Sequence, residues 1–496
     1  MIERYADKDI ARIWSDENKV NLWQKTELAV IQAMANLGQI EREIPTKIAE
    51  ILEGKPIDLV WWKEKEKEIK HDLNAFLEER LRFLPLELQV YFHRKITSYD
   101  TEEPAFALML RESIEIVRQY YFELGRVLTT MALKYRFTIM NGRTHGQEAE
   151  LQTFGKRCLT WIQDLRTDFA NLGRVEENLR YSKISGAIGN YGSISPDLEE
   201  EALKILGFVP YYGATQIIPR EIYAPIAQAL SQVVQTIDKI ATTIRLGARS
   251  GRPIYQEPFV KKQKGSSAMP HKKNTISTEQ LEGMARAAKG FENMIKDNIK
   301  TWEERSIEQS SVERIAWPDL FHVLVHSLKT ITRVLRDLVV YPDNMLLEVI
   351  ESRGCYASSE AKEVLKELGA PAGLTVEEAY RIIQLAAFNA FEPSEEIENL
   401  RVNLPQSLTE ADETLAKFQQ IKKPEPISIR DIIAQGNLRS STQLDIGEEE
   451  VQKWNMTLKQ IFSNPANLER WNQIFLPSYL LKNEIKLYQE ILGVQA

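Results

Sequence analysis

Three stretches, residues 226–246, 291–317 and 319–341, run without a single glycine or proline, and each is far longer than a β-strand. Runs of that kind predict long helices. In the first, Ile226, Leu230, Val233, Ile237, Ile240 and Ile244 recur at alternating steps of four and three, which keeps one apolar seam along a helix that packs against neighbours. Leu324, Leu328, Ile331, Leu335 and Leu338 repeat the pattern. Residues 105–141, interrupted only by Gly125, and 156–172 read the same way. The middle of the chain is therefore expected to be an up-and-down bundle of long helices. Bundles this elongated commonly share their seams with other subunits.

Composition supports an all-α protein and narrows its partners. The chain has 496 residues, 43% hydrophobic and 27% charged, ample for a sizeable core and inconsistent with wholesale disorder. Its 23 glycines and 20 prolines are too few for the many turns of an all-β fold. Lys plus Arg at 63 against Asp plus Glu at 71 leaves a net charge of −8, so no global basic field holds a nucleic-acid backbone or an anionic membrane. An anionic partner must be held locally. Cys158 and Cys355 are the sole cysteines, which excludes an intrachain disulfide framework or four-thiolate zinc site and fits a reducing compartment. Charged residues from Glu3 to Asp9 occupy the place of a signal peptide's apolar stretch, and no apolar run approaches transmembrane length. A cytoplasmic protein is expected.

Three domains are expected. Residues 1–103 mix short helical pieces with breakers such as Gly54-Lys55-Pro56 and Pro85 and read as a helical cap. Residues 104–355 form the long-helix bundle, and residues 356–496 a C-terminal helical domain with a divergent tail. Within that tail, Pro393, Pro405, Pro424, Pro426 and Gly436 predict shorter helices joined by loops.

One segment breaks the helical background. Residues 251–274 contain Pro253, Pro258, Gly265 and Pro270, which forbid a continuous helix, and gather Lys261, Lys262, Lys264, Lys272 and Lys273. A cationic loop follows, and local composition alone equally fits a solvated linker. Four of the six histidines, His71, His93, His145 and His271, stand beside polar residues or breakers, where an imidazole serves as acid or base. A hydrogen-bonded structural histidine is the competing reading for each one alone. His322 and His326, four apart on an expected helix, lack an adjacent Glu or a third ligand, so no metal is assigned.

The run Gly265-Ser-Ser-Ala-Met-Pro-His-Lys-Lys-Asn274 resembles the signature loop of the fumarase/aspartase superfamily, and the adenylosuccinate-cleaving branch is the close match. Met1-Ile-Glu-Arg-Tyr5, Lys70-His-Asp72, Thr97-Ser98, Gly142-Arg-Thr-His-Gly146, Lys183-Ile-Ser-Gly-Ala187 and Ser310-Ser-Val-Glu-Arg314 are similar to that branch and occur in its order. The resemblance covers residues 1–390 and a patch near 476–493.

It implies a three-domain all-α lyase, a homotetramer with shared active sites, acting on a small-molecule nucleotide without organic cofactor or metal. The implied reaction is anti β-elimination of fumarate from a succinylated purine nucleotide. By motif position, Ser266 is the base and His145 the acid, with His71 supporting His145. Lys272 and Asn274 meet the doubly charged aci-carboxylate intermediate, and Glu279 orients the loop. Arg4, Tyr5, Arg305, Ser310 and Arg314 match phosphate contacts. Lys70 and Asp72 stand beside the substrate, and Thr97, Ser98, Thr144 and Gln216 match positions around the succinyl portion.

The chain departs from the branch at several points. Lys70 replaces an arginine and loses bidentate geometry, Lys95 replaces a glycine, and Tyr99 stands where a small hydroxyl residue is common. Thr275 replaces a proline, Glu303 a histidine, and Pro219 a glutamine. These changes border the substrate site rather than remove the acid or base. Two rivals accompany the main reading: a superfamily lyase acting on another succinyl-type substrate, and a catalytically silent helical scaffold. Retention of Arg4-Tyr5 speaks against the first and of Ser266 and His145 against the second.

Overall fold

The computed structural model describes residues 1–263, 265, 268–393, 397–399, 405–421 and 427–494. The protein is all-α. Its long helices are Ser98–Lys134, Phe154–Glu176, Ala224–Gly247, Ile276–Asp297 and Ile307–Arg336. The seam residues Ile226, Leu230, Val233, Ile237, Ile240 and Ile244 are all fully buried, as are Leu324, Leu328 and Ile331. At about 1.5–3 kcal/mol for each large aliphatic side chain taken from water, these seams are a main source of the bundle's stability.

Two expected helix boundaries are corrected. The run 291–317 is not one helix: the first segment stops at Asp297 and the next begins at Ile307. Local propensity favours continuation, but tertiary hydrogen bonds capture the intervening backbone. The Asn298 side chain donates to the Gln309 carbonyl at 3.0 Å. The Glu304 carbonyl accepts from the Thr215 hydroxyl at 2.7 Å and the Gln216 amide at 3.3 Å, and Glu303 takes a left-handed φ of 50°. Conversely, the helix from Ile307 runs through Pro318 to Arg336. An interior proline costs about 3 kcal/mol, and here the flanking Trp317 and Phe321 are fully buried and stacked with ring centroids 6.3 Å apart.

A third correction concerns residues 135–141, which the breaker spacing places in a helix. The helix ends at Lys134, and Ile139–Thr144 and Gln147–Thr153 form an antiparallel hairpin. Thr144 pairs with Gln147, leaving His145 and Gly146 as a two-residue turn with φ of 53° and 78°. Positive φ at both central residues is the primed turn whose twist matches a hairpin. The register shifts between Asn141 and Arg143. The intervening Gly142 leaves room for this bulge, since a Cβ there would lie 2.9 Å from the Glu150 carbonyl oxygen.

Residues divide into two compact units: Met1–Leu128, Trp161–Arg249 and Gln256–Val339 in the first, and Thr129–Thr160, Ser250–Tyr255 and Val340–Ala496 in the second. Beside its bundle, the first unit has a core of shorter helices around Trp23, Trp62 and Phe76. The second packs the helices Ser358–Gly369, Val376–Phe391, Ile429–Gln435 and Glu448–Phe462 around Trp454 and Trp471. Of the expected short helices in the divergent tail, Leu408–Gln420 and Ile429–Gln435 are described, while Pro424 and Pro426 lie outside the described residues. No described helix is long and apolar enough to cross a membrane.

Candidate active site

The first unit holds a cavity of about 740 Å³, within the range of small-molecule sites. Five residues singled out from sequence line it: Lys70, Asp72, Tyr99, Ser310 and Arg314. Their convergence begins with a tight connection between two helices. Lys70 ends the helix Leu59–Ile69 in the left-handed region at φ 59°, and His71 caps the next, Asp72–Leu81, by accepting from the Asn74 amide. Three consecutive polar side chains thus stand at one helix junction. The Asp72 carbonyl accepts from the Trp62 indole at 2.9 Å, and its carboxylate accepts from Arg314 at 2.8 Å. The Arg314 side chain is 57% exposed, so the ion pair itself contributes under about 1 kcal/mol.

The cavity wall rests on buried charge. Arg220 donates to Glu313 at 2.8 and 3.0 Å and to Glu103 at 3.0 and 3.2 Å, with the Tyr223 hydroxyl also donating to Glu103. Burial opposes the Arg220 charge, but Glu103 and Glu313 hold its pKa well above the ordinary value. Nearby, Lys183 is fully buried and donates to the Asp100 carboxylate at 2.6 Å and to the Gly186 and Gln216 carbonyls at 3.0 and 3.1 Å. Asp100 also accepts from the Thr97 amide at 2.8 Å, which fixes the start of the helix at Ser98. Gln216 donates to the Ala187 carbonyl and accepts from Arg305 at 2.9 Å. Arg305 in turn lies 4.0 Å over the Tyr99 ring.

The motifs assign no role to Asp100, Glu102, Glu103, Lys183 or Arg220, although Lys183 stands within one of them. The available signal was a lysine set in the small, apolar run Ile-Ser-Gly-Ala, where a charge demands a buried partner. Glu102 lines the cavity, and its pKa is pushed up to about 8 by burial and then by the Asp72 charge, against the pull of Arg305, Arg314 and Lys19. A carboxyl that titrates near neutrality in a cleft is a functional candidate.

The other sequence-singled residues stand elsewhere. Ser266 lies outside the described residues. Among the described residues of the signature loop, the Asn274 side chain donates to the Gly265 carbonyl at 2.9 Å. A Cβ at 265 would lie 1.7 Å from the Lys272 carbonyl oxygen, so glycine is demanded there. The Lys272 side chain is exposed. Glu279 is paired with Arg245 at 3.3 Å, on a helix whose first amides, Ser277 and Thr278, donate to Glu257. Arg4 and Tyr5 occupy a short 3-10 turn, with Tyr5 edge-on to His326 at 5.1 Å. His322 accepts from the Asp7 amide at 2.9 Å, which gives both members of that histidine pair structural neighbours. His93 bonds to Glu27 at 2.8 Å, and although burial opposes its charge, Glu27 raises its pKa.

His145 and Thr144 belong to the second unit, exposed at the hairpin tip. There Arg143 pairs with Glu148 and Glu348, each at 3.2 Å, and the Asn141 side chain donates to the Glu348 carbonyl at 3.1 Å. These contacts anchor the hairpin stem to the helix Pro342–Glu351 and leave the imidazole exposed at the tip.

Comparison with known proteins adds to this geometry. Residues 1–290 match the model of the family described as Lyase. An adenylosuccinate lyase of Aquifex aeolicus (strain VF5) is 37% identical over 394 residues, covering 79% of this chain and 89% of that protein. An adenylosuccinate lyase of Bacillus subtilis (strain 168) is 32% identical over 392 residues, with the same coverage. Among solved structures, a fumarate lyase from Mesorhizobium sp. BNC1 superposes with a TM-score of 0.74 at 21% identity, covering 99% of both chains. The β-carboxy-cis,cis-muconate cycloisomerase of Acinetobacter calcoaceticus sp. ADP1 gives 0.69 at 18% identity, covering 94% of this chain and 98% of that one. At such identities the likeness concerns the fold. Matched by the family model over more than half its length and aligned with relatives above 30% identity over most of both chains, the chain belongs to the Lyase family, within the fumarase/aspartase superfamily.

Proposed function

We propose that the protein is a carbon–nitrogen lyase that releases fumarate from adenylosuccinate to give AMP, and from the succinylated aminoimidazole carboxamide ribotide of purine biosynthesis. The observation that carries this reading is the run of adenylosuccinate lyases at 32–37% identity, aligned over about four-fifths of the chain. Cavity chemistry supports it, because a substrate with a phosphate and two carboxylates requires converging cations, and Lys70 and Arg314 face one space.

In the proposed mechanism, Ser266 removes a proton from the succinyl methylene carbon next to its carboxylate. The electron pair delocalises into that carboxylate as an aci-carboxylate, which Lys272 and Asn274 stabilise. The pair then forms the fumarate double bond as the C–N bond breaks, and His145 protonates the departing nitrogen. Ser266 needs its alkoxide favoured, which the adjacent lysines and loop amides supply once closure excludes water. His71 supports His145, and Glu279 orients the loop. Arg4, Tyr5, Arg305, Ser310 and Arg314 hold the phosphate, and Thr97, Ser98, Thr144 and Gln216 the succinyl portion, beside Lys70 and Asp72.

The working assembly is a cytoplasmic homotetramer with shared sites, in which residues 1–103 act as the cap, 104–355 as the bundle and 356–496 as the C-terminal domain. Support for association comes from apolar side chains left exposed on the long helices, among them Phe122, Leu246 and Ile315, since such surface marks interfaces. The decisive experiment follows fumarate release from adenylosuccinate with Ser266→Ala and His145→Ala as controls. Each substitution is expected to lower turnover by about 10²–10⁴-fold. Absence of release by the unmodified protein overturns the reading, and undiminished release in both variants overturns the mechanism.

A further inference from the structure

The residues around Arg305 form a closed circuit. The Arg305 guanidinium donates to the Gln216 side chain at 2.9 Å, and the Gln216 carbonyl accepts from Lys183 at 3.1 Å. Lys183 donates to Asp100 at 2.6 Å, and the residue before Asp100 is Tyr99, whose ring lies 4.0 Å beneath the same guanidinium. Lys183 and Asp100 are fully buried, and Tyr99 is 4% exposed. The Arg305 Nε is buried and has no hydrogen-bond partner among the described residues. Its guanidinium is thus clamped across one face and at one edge while a donor stays unspent. A buried donor without an acceptor costs about 1–3 kcal/mol, and an oxyanion supplied by a ligand removes that cost.

Tyr99 is also one of the departures, a large aromatic where the resembling branch has a small hydroxyl residue. A small side chain offers no π-face, and the hydroxyl of Tyr99 is only weakly engaged, accepting from Gln309 at 3.4 Å. What the substitution adds is the ring face beneath a cation.

We infer that Tyr99 is a positioning residue, which acts by cation–π stacking to hold Arg305 in the orientation that receives an oxyanion of the substrate. This rests on the proposed lyase reading. The ring beneath the guanidinium limits its reorientation, so its remaining N–H donors are presented before substrate arrives, and less ordering is needed on binding.

The test measures kcat and KM for fumarate release from adenylosuccinate in the unmodified enzyme and in Tyr99→Phe, Tyr99→Leu and Tyr99→Ser, alone and combined with Arg305→Ala. Y99F keeps the ring face and is expected to hold KM within about twofold. Y99L and Y99S are expected to raise KM about tenfold with kcat nearly unchanged, the signature of lost ground-state positioning. In the R305A background neither is expected to raise KM further, because Tyr99 acts through Arg305. Should Y99L fail to fold, Y99S, the side-chain type common at this position in the branch, provides the reading. The inference is overturned if Y99L or Y99S binds like the unmodified enzyme, if Y99F is as impaired as Y99L, or if the effects add to that of R305A. An unmodified enzyme that releases no fumarate overturns the lyase reading and this inference with it, whereas release with KM unmoved by Y99L and Y99S overturns the inference alone.

Discussion

The cavity of the first unit and the hairpin of the second place polar residues by opposite means. Around the cavity, Arg220, Lys183, Asp100 and Glu103 are withdrawn from water and paired through side chains far apart in sequence. At the hairpin, His145 is presented by backbone geometry alone, through a two-residue turn with positive φ at both positions. Buried ion pairs tie position to global stability, because a partner left behind is an uncompensated charge. A primed turn ties position to a local φ, so the hairpin tip is expected to be sensitive in turnover and tolerant in stability.

The sharpest way to break this comparison is Arg220→Met, which leaves Glu103 and Glu313 buried without their cation. It is expected to cost about 3–5 kcal/mol of stability in urea denaturation, and a loss under about 1 kcal/mol would show that the cavity wall does not depend on the pair. Gly146→Ala probes the other side. It forces a Cβ into the left-handed region at about 1–2 kcal/mol, local to the turn, and is expected to lower kcat at least tenfold, the scale lost when the proposed acid His145 is misplaced, with a small change in the denaturation midpoint. If G146A destabilises as much as R220M, the distinction between the regions fails.

Glu102→Gln sharpens the electrostatic half. With its pKa pushed up to about 8, Glu102 ionises as pH rises through that value and places a negative charge beside Arg305 and Arg314. KM for the anionic substrate is expected to rise above about pH 8 in the unmodified enzyme and to stay flat in E102Q. Linkage has a definite sign: the folded state keeps a proton that the unfolded chain loses near the ordinary carboxylate pKa of about 4.3. Stability contributed by Glu102 therefore falls with rising pH between those values, and E102Q is expected to gain in Tm over the unmodified protein at pH 8 but not at pH 4. The smallest effect is expected for Lys95→Gly. Lys95 sits at φ 68°, and glycine removes strain of about 1–2 kcal/mol while adding about 0.4–1 kcal/mol of unfolded-state entropy. The net gain is about 0–1.6 kcal/mol, read as a modest rise in the urea midpoint; a fall would mean that the lysine makes compensating contacts.

Lys95 also shows what could be read without coordinates. The glycine expected there was noticed as missing, yet only the backbone explains why glycine suits the position. The seams from Ile226 to Ile244 and from Leu324 to Leu338 were legible, because apolar recurrence at helical spacing is a local property of the chain. Motif order similarly brought out Lys70, Asp72, Ser310 and Arg314, which share the cavity. The hairpin was missed although His-Gly between Thr144 and Gln147 carries a turn signal, since sparse breakers elsewhere favoured helix. The pairs Asp100–Lys183 and Glu103–Arg220 were illegible as pairs, because the partners are separated by more than eighty residues and no spacing rule connects them.

Sequence alone determined the helical class, the buried seams of two bundle helices and the family. Tertiary structure decided that the chain breaks at residues 298–306, where no glycine or proline stands, and continues through Pro318, where one does. Local propensity differs by at most about 0.7 kcal/mol per ordinary residue and by about 3 kcal/mol at proline. Long-range hydrogen bonds to Glu304 and the burial of Trp317 and Phe321 together exceed it, and they exist only once distant segments meet.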